Sequence, residues 1–194
     1  MSALDPIAAP KTLASHARAA VLAAIGDGRL EPGTLHSVAQ LAEQLGISRT
    51  PVREALLVLE REGRVRFERN KGVRVLETTA ADVAEVFELR LLLEVPAAAK
   101  ACGVVELEAL RTAIDDGERF HELIVLAAGN RRLAAIVAGL REALGGPTDR
   151  DPEEAAAEHR AILAALEAGD ADRAAAAMRY HLRRTAELAG ATRS

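Results

Sequence analysis

Cysteine is almost missing from this chain: Cys102 is the only one in 194 residues. A single thiol excludes an intramolecular disulfide and a thiolate zinc cluster, and it suits a reducing compartment. Aromatic residues are scarce as well, at 2% of the chain. No stretch approaches the roughly 18 uninterrupted apolar residues that read as a membrane span, and residues 1–10 carry no basic leader. The expected location is therefore the cytoplasm, with no membrane partner. What is present is an Ala- and Leu-rich chain, 49% apolar and 28% charged, which suits a folded and mostly helical protein rather than a disordered one. Its length allows two modest domains.

The formal net charge of −4 argues against a nucleic-acid partner only until it is divided by position. Residues 1–76 hold 11 Lys+Arg against 8 Asp+Glu, for +3, whereas residues 77–194 hold 14 against 21, for −7. Within residues 49–74 there are 8 basic and 4 acidic side chains, a local footprint that suits a phosphate backbone.

Apolar periodicity places the elements. Ala17, Val21, Ala24 and Ile25 recur at helical spacing and end in the breakers Gly26-Asp27-Gly28 and Glu31-Pro32-Gly33. A second helix starts near Ser37, runs through Val38, Leu41, Ala42 and Leu45, and stops at Gly46. Ser48 or Thr50 can cap a third, in which Val52, Ala55, Leu56 and Leu59 form an i, i+3, i+4, i+7 stripe with Arg49 and Arg53 on the other face. Val65 and Phe67, a turn at residues 68–72, then Val73 and Val75 predict a two-stranded wing. Two helices across a short turn make a helix-turn-helix, whose second helix presents its N-terminal residues to the DNA major groove.

The expected fold is thus mainly α: a disordered tail over residues 1–11, a winged helix-turn-helix (three helices and a β-hairpin wing) over 12–76, a linker at 77–80, and an all-α helical bundle over 81–190. In that bundle, helices are predicted over residues 81–102, 106–128, 131–144, 152–168 and 171–189, with Pro96 kinking the first.

Residues 41–56 (LAEQLGISRTPVREAL), followed by Leu59 and Glu62-Gly63, closely resemble the recognition segment of GntR-family transcriptional regulators. The likeness covers residues 12–76, with the Pro32-Gly33 turn and a wing tipped by Gly72. In the FadR-like branch of that family, the resemblance implies that Ser48, Arg49, Thr50 and Arg53 contact base edges and phosphates. It also implies that the wing tip of Arg69, Asn70, Lys71 and Gly72 enters the minor groove. Arginine chemistry agrees, because a guanidinium can donate two hydrogen bonds to guanine and hydroxyls at a helix N-terminus anchor phosphates. One departure is Ala39, where relatives carry a basic residue.

His121, His159 and His181 each lie on an apolar helical stripe of the second domain. Taken singly, each reads as a core histidine; taken together, three inward imidazoles on three helices make a natural transition-metal site. The segments Phe120-His121 with Gly129-Asn130, Glu158-His159, Tyr180-His181-Leu182, and Glu88-Leu89-Arg90 with Leu93-Glu94 resemble the metal-binding form of the FadR C-terminal (FCD) domain. That resemblance implies a divalent metal such as zinc or nickel, held by an aspartate and three histidines beneath a cavity for a small organic acid. Arg90 and Asn130 are the effector-contact candidates. The family aspartate falls on Gly117 here; Glu118, within about 60° of His121 around a helix, is the first substitute and Asp116 points further away. The stretch between Glu94 and His121 is also shorter than the family's.

The expectation is a homodimeric regulator that binds a pseudo-palindromic operator in double-stranded DNA and responds to a small carboxylate. One alternative is a degenerate sensor that serves only for dimerisation. A histidine-ligated metalloenzyme is disfavoured, because Glu122 and Glu158 diverge by about 100° from the adjacent histidines and no general base stands beside the cluster.

Overall fold

Helix α1 (Leu13–Gly26) begins where the Thr12 side chain accepts a hydrogen bond from Ser15 N at 3.2 Å, and α2 (Val38–Gln44) begins at a Ser37 cap. Gly46 adopts φ 65°, a left-handed conformation that ends α2 and redirects the chain into α3 (Arg49–Arg61) within four residues. Val52, Ala55, Leu56 and Leu59 are all buried on one face of α3, against Ala17 and Val21 of α1, Leu41 and Ala42 of α2, and Val65, Val73 and Val75. Burial of each large aliphatic side chain stabilises the unit by about 1.5–3 kcal/mol, so this stripe fixes which face of α3 is left outside. An Arg18–Glu62 clamp, with Nε–Oε1 at 3.1 Å and Nη2–Oε2 at 3.0 Å, ties α1 to the end of α3.

The wing is larger than the two strands expected. Strands β2 (Val65–Glu68) and β3 (Gly72–Val75) pair antiparallel, and a two-residue β1 (Leu35–His36) adds to the other edge of β3, giving the order β1-β3-β2. Leu35 pairs with Arg74 and His36 with Val73. Two residues are too short to show alternation, so β1 was not readable from periodicity. Gly72 is what lets β1 come so close. Its φ is 129°, and a Cβ there would sit 2.2 Å from the His36 carbonyl oxygen. The turn before it uses Asn70 at φ 60°, a conformation asparagine tolerates.

This computed structural model describes residues 12–144 and 151–191; the tail expected over residues 1–11 lies outside the described residues. The chain divides into two compact units, with the division between Glu77 and Thr78.

In the second unit, a Thr79–Asp82 capping box starts α4 (Ala80–Ala101), which continues through Pro96. The single helix expected over residues 106–128 is in fact two, α5 (Leu107–Thr112) and α6 (Gly117–Ala127). Asp116 causes the break: its side chain accepts from Arg119 N at 3.0 Å and starts a new helix. Helices α7 (Arg131–Ala143), α8 (Pro152–Glu167) and α9 (Ala171–Ala191) complete the bundle among the described residues. Helix α4 packs on α6, α7 and α9, and α9 packs on α8, around Phe87, Leu110, Phe120, Ile124, Ile162, Met178 and Leu182. Among the described residues, no helix is long and apolar enough to cross a membrane.

Candidate functional site

The face of α3 that the apolar stripe leaves outside meets the wing across a groove of about 1100 Å³. Arg49, Thr50, Arg53, Arg69, Asn70, Lys71 and Gly72 all line it, along with Ala39. Ser48 stands at the start of α3, exposed, and its hydroxyl makes no capping bond, so it faces outward rather than closing the helix end. Arg53 is held over the Phe67 ring, with its guanidinium carbon 5.2 Å from the centroid, a cation–π contact that restrains the side chain at the groove wall.

Three acidic residues line the groove, Glu54, Glu60 and Glu68, and the last two are engaged within the protein. Glu60 Oε1 accepts from Phe67 N at 2.7 Å, and Glu68 is paired with Arg74 at 2.5 Å. The Arg74 guanidinium beside Glu68 holds its carboxyl below the usual carboxylate range. Arg49, Arg53, Arg69 and Lys71 outnumber the remaining carboxylate, Glu54, and set the sign of the groove, and an exposed concave surface of that sign is suited to a phosphate backbone.

The second unit buries a cluster of histidines together with Arg90 and Glu94. His121 on α6, His159 on α8 and His181 on α9 are 2%, 3% and 5% exposed, and one ring nitrogen from each lies within 4.8 Å of the others. Each ring is fixed through its opposite nitrogen. His159 Nδ1 donates to the Ile114 carbonyl at 2.7 Å, His181 Nδ1 donates to Glu158 Oε2 at 2.8 Å, and His121 Nδ1 donates to Glu94 Oε2. His159 also stacks on Phe120, ring centroids 4.4 Å apart.

Glu94 is fully buried on α4 and also accepts from Arg90 Nε at 2.6 Å. Burial raises its carboxyl, but the His121 ring and the Arg90 guanidinium outweigh that and hold it below the usual range. Burial drives His121 well below its usual value, against the opposing pull of Glu94. The consistent state is an ionised Glu94 balanced by Arg90, with a neutral His121 whose one proton lies on Nδ1. With Nδ1 turned outward in each ring, the Nε2 atoms of the three imidazoles are turned inward. The Nε2 atoms of His121 and His181 are 3.0 Å apart. At that distance either one Nε2 carries a proton and donates to the other, or a cation lies between them; outward Nδ1 donation to a carboxylate or carbonyl is the pattern of metal-ligating histidines.

The three histidines named from sequence thus come together, while the other expected residues do not join them. Glu118 is exposed in the first turn of α6 and lines a neighbouring pocket instead. Arg90, expected at the effector, is buried in its pair with Glu94 and lies over the Phe87 ring. Asn130 accepts from Arg132 N and Leu133 N, both at 3.1 Å, as the cap of α7. Sequence reasoning missed the reach of Glu158. The 100° divergence that keeps it from His159 aims it at His181 on the next helix. It also missed Arg141 on α7, which no motif marks; it lines the same pocket as Glu118, and its Nη2 would lie 3.9 Å from a Cβ at Gly117.

A basic winged helix-turn-helix followed by a helical unit with a buried histidine triad defines a two-domain DNA-binding transcriptional regulator. Residues 13–75 match the model for bacterial regulatory proteins of the gntR family, and residues 85–184 match that of the FCD domain. The chain belongs to the GntR family of transcriptional regulators and carries an FCD domain; these are families of regulators, not of enzymes.

Among curated relatives it is 30% identical to a protein of Paenarthrobacter nicotinovorans described as "Probable D-xylose utilization operon transcriptional repressor", over 88% of this chain and 86% of that protein. It is 28% identical to the HTH-type transcriptional regulator YdhC of Bacillus subtilis, over 72% of this chain and 74% of that one. The gluconate operon transcriptional repressor of Bacillus subtilis is 43% identical, but over only 36% of this chain and 28% of its own length. The fold is that of McbR/YncC of E. coli, with TM-score 0.73, 23% identity, and coverage of 94% of this chain and 99% of that one.

Proposed function

We propose that the FCD domain binds a divalent transition metal such as zinc or nickel through His121, His159 and His181, and that a small carboxylate acts there as effector. The observation that carries this reading is the outward fixing of all three Nδ1 atoms, which turns three Nε2 atoms toward one buried cluster. A metal bound there would supply a positive charge and an open coordination position to an acid. Arg90 and Glu94 act behind it, setting the tautomer and orientation of His121.

On the DNA side, Arg49, Arg53, Ser48 and Thr50 read an operator through the major groove, while Arg69, Asn70, Lys71 and Gly72 follow the backbone or minor groove. Because operators of this class are read by paired heads, the functional unit is a homodimer on a pseudo-palindrome, acting in the cytoplasm where the DNA lies. Leu89 and Leu92, 47% and 65% exposed on α4, supply apolar surface that a second copy would cover.

Thermal unfolding with and without zinc or nickel, for the natural chain and for His159→Ala, tests the metal reading. A metal-dependent rise that disappears in the variant is expected; an equal rise in both would overturn it. Operator binding followed with metal present, across a set of small carboxylates, then tests the effector. Gly117, standing where the family aspartate falls, favours the second reading, a sensor that has lost its metal and serves only for dimerisation. No rise with any metal in the natural chain would select it.

A further inference from the structure

Phe67 is the only phenylalanine, tyrosine or tryptophan in residues 1–77, the first unit. It is half-buried on β2, where it packs against the apolar core of the unit and also lines the groove. A leucine would fill the core side of such a position as well. What an aromatic ring adds is a π face that attracts a guanidinium. That face is taken by Arg53, whose guanidinium carbon lies 5.2 Å from the ring centroid. No described residue pairs with the Arg53 side chain through a hydrogen bond or salt bridge, so the ring is the contact that locates it.

Helix α3 holds the same residue a second time. Glu60 Oε1 accepts from Phe67 N at 2.7 Å. Arg53 and Glu60 are seven residues apart, which places them within about 20° of each other around a helix. One face of α3 therefore grips β2 at a single residue, by its ring and by its backbone. Across the sheet Phe67 lies opposite Val73 of β3, so the ladder holds it from the other edge. The ring is fixed relative to α3 on both sides, and with it the Arg53 fork. A free arginine samples many rotamers in water; one already held at the groove wall has less freedom to lose on binding, and its N–H groups point one way.

We infer that Phe67 is a positioning residue for DNA reading: its ring, clamped to α3 through Glu60, aims the Arg53 guanidinium and so sets how sharply the base read by Arg53 is discriminated. Phe67 does this without touching DNA. The inference rests on Arg53 as a base reader and goes beyond it, because it assigns part of the specificity of the reading helix to a residue of the wing strand.

Binding of the full chain to a DNA duplex recovered from a random-sequence library with the natural chain, and to every single-base variant of that duplex, tests it. Arg53→Ala marks the position that Arg53 reads, by flattening preference there. Phe67→Leu should lower discrimination at that same position about two- to fivefold, the range of an exposed cation–π contact, and leave the other positions and the salt dependence as they are. Phe67→Tyr, which keeps the π face, should retain the natural preference. Glu60→Ala should reproduce the loss at that one position with the ring still present, and Glu60→Gln, which keeps an acceptor oxygen, should restore it. In an Arg53→Ala background, Phe67→Leu should change no preference further. Unchanged discrimination at the marked position in folded Phe67→Leu would overturn the inference, and so would a uniform weakening across the panel that follows the loss of urea stability, since Phe67 is then a core residue only. Should Phe67→Leu fail to fold, natural preference in Glu60→Ala overturns it instead. An Arg53→Ala variant that flattens no position would remove both this inference and the reading of Arg53 on which it rests.

Discussion

The two sites place functional side chains in opposite physical settings. In the groove, Ser48, Arg49, Thr50 and Arg53 are exposed on α3, and the stability of the unit rests on the other face of that helix. In the triad, every functional ring is buried and held by a second residue, so function and folding share the same atoms. A reading helix can thus change its outer residues almost independently of its fold, whereas the sensor cannot.

The largest effect expected from this contrast is at Glu94. Its replacement by Leu leaves Arg90 buried without its carboxylate partner and His121 without an acceptor, and breaking a buried pair in this way costs about 3–5 kcal/mol. Urea unfolding followed by circular dichroism measures it. A loss under about 1 kcal/mol would mean that Arg90 finds water when Glu94 is gone, and that the triad is less tied to folding than the geometry implies.

Gly72→Ala comes next. It strains the backbone at φ 129° and drives a Cβ toward the His36 carbonyl, so β1 must part from β3. Strain of this kind costs about 1–3 kcal/mol, confined to the first unit. Operator affinity should fall with it. Unaltered urea midpoints would show that β1 contributes nothing to the wing.

Arg53→Ala sharpens the contrast from the other side. Its stability cost should stay within about 0.5 kcal/mol, as for other exposed positions. Operator binding should weaken by about 1–3 kcal/mol, with base preference flattened at one position. Binding to a panel of single-base operator variants measures this, and uniform weakening across the panel would make Arg53 a phosphate contact instead of a reader.

Legibility followed the same division. The stripe Val52, Ala55, Leu56 and Leu59 is local and periodic, so it announced α3, its buried face and hence its reading face. The three histidines were legible for the same reason, each lying on an apolar stripe. What could not be read depends on contacts between elements. Strand β1 exists only through its pairing with β3, Glu158 meets a histidine on another helix, and Arg141 comes beside Gly117 from α7. The break before α6 was present in Asp115-Asp116-Gly117, but apolar periodicity running through both halves outweighed the cap signal.

Asn130 carries the smallest expected effect and separates two roles that the sequence could not. As the cap of α7 it satisfies two backbone N–H groups, so Asn130→Ala should cost the helical unit about 1 kcal/mol. Asn130→Ser, which keeps a capping oxygen, should recover most of that. Because α7 packs on α4, which carries Glu94 behind His121, the alanine variant should also weaken the response to acid, in proportion to its loss of stability. The serine variant then decides between the roles. If operator binding responds to acid in Asn130→Ser as in the natural chain, Asn130 acts only through α7. If stability returns and the acid response does not, its amide touches the acid itself.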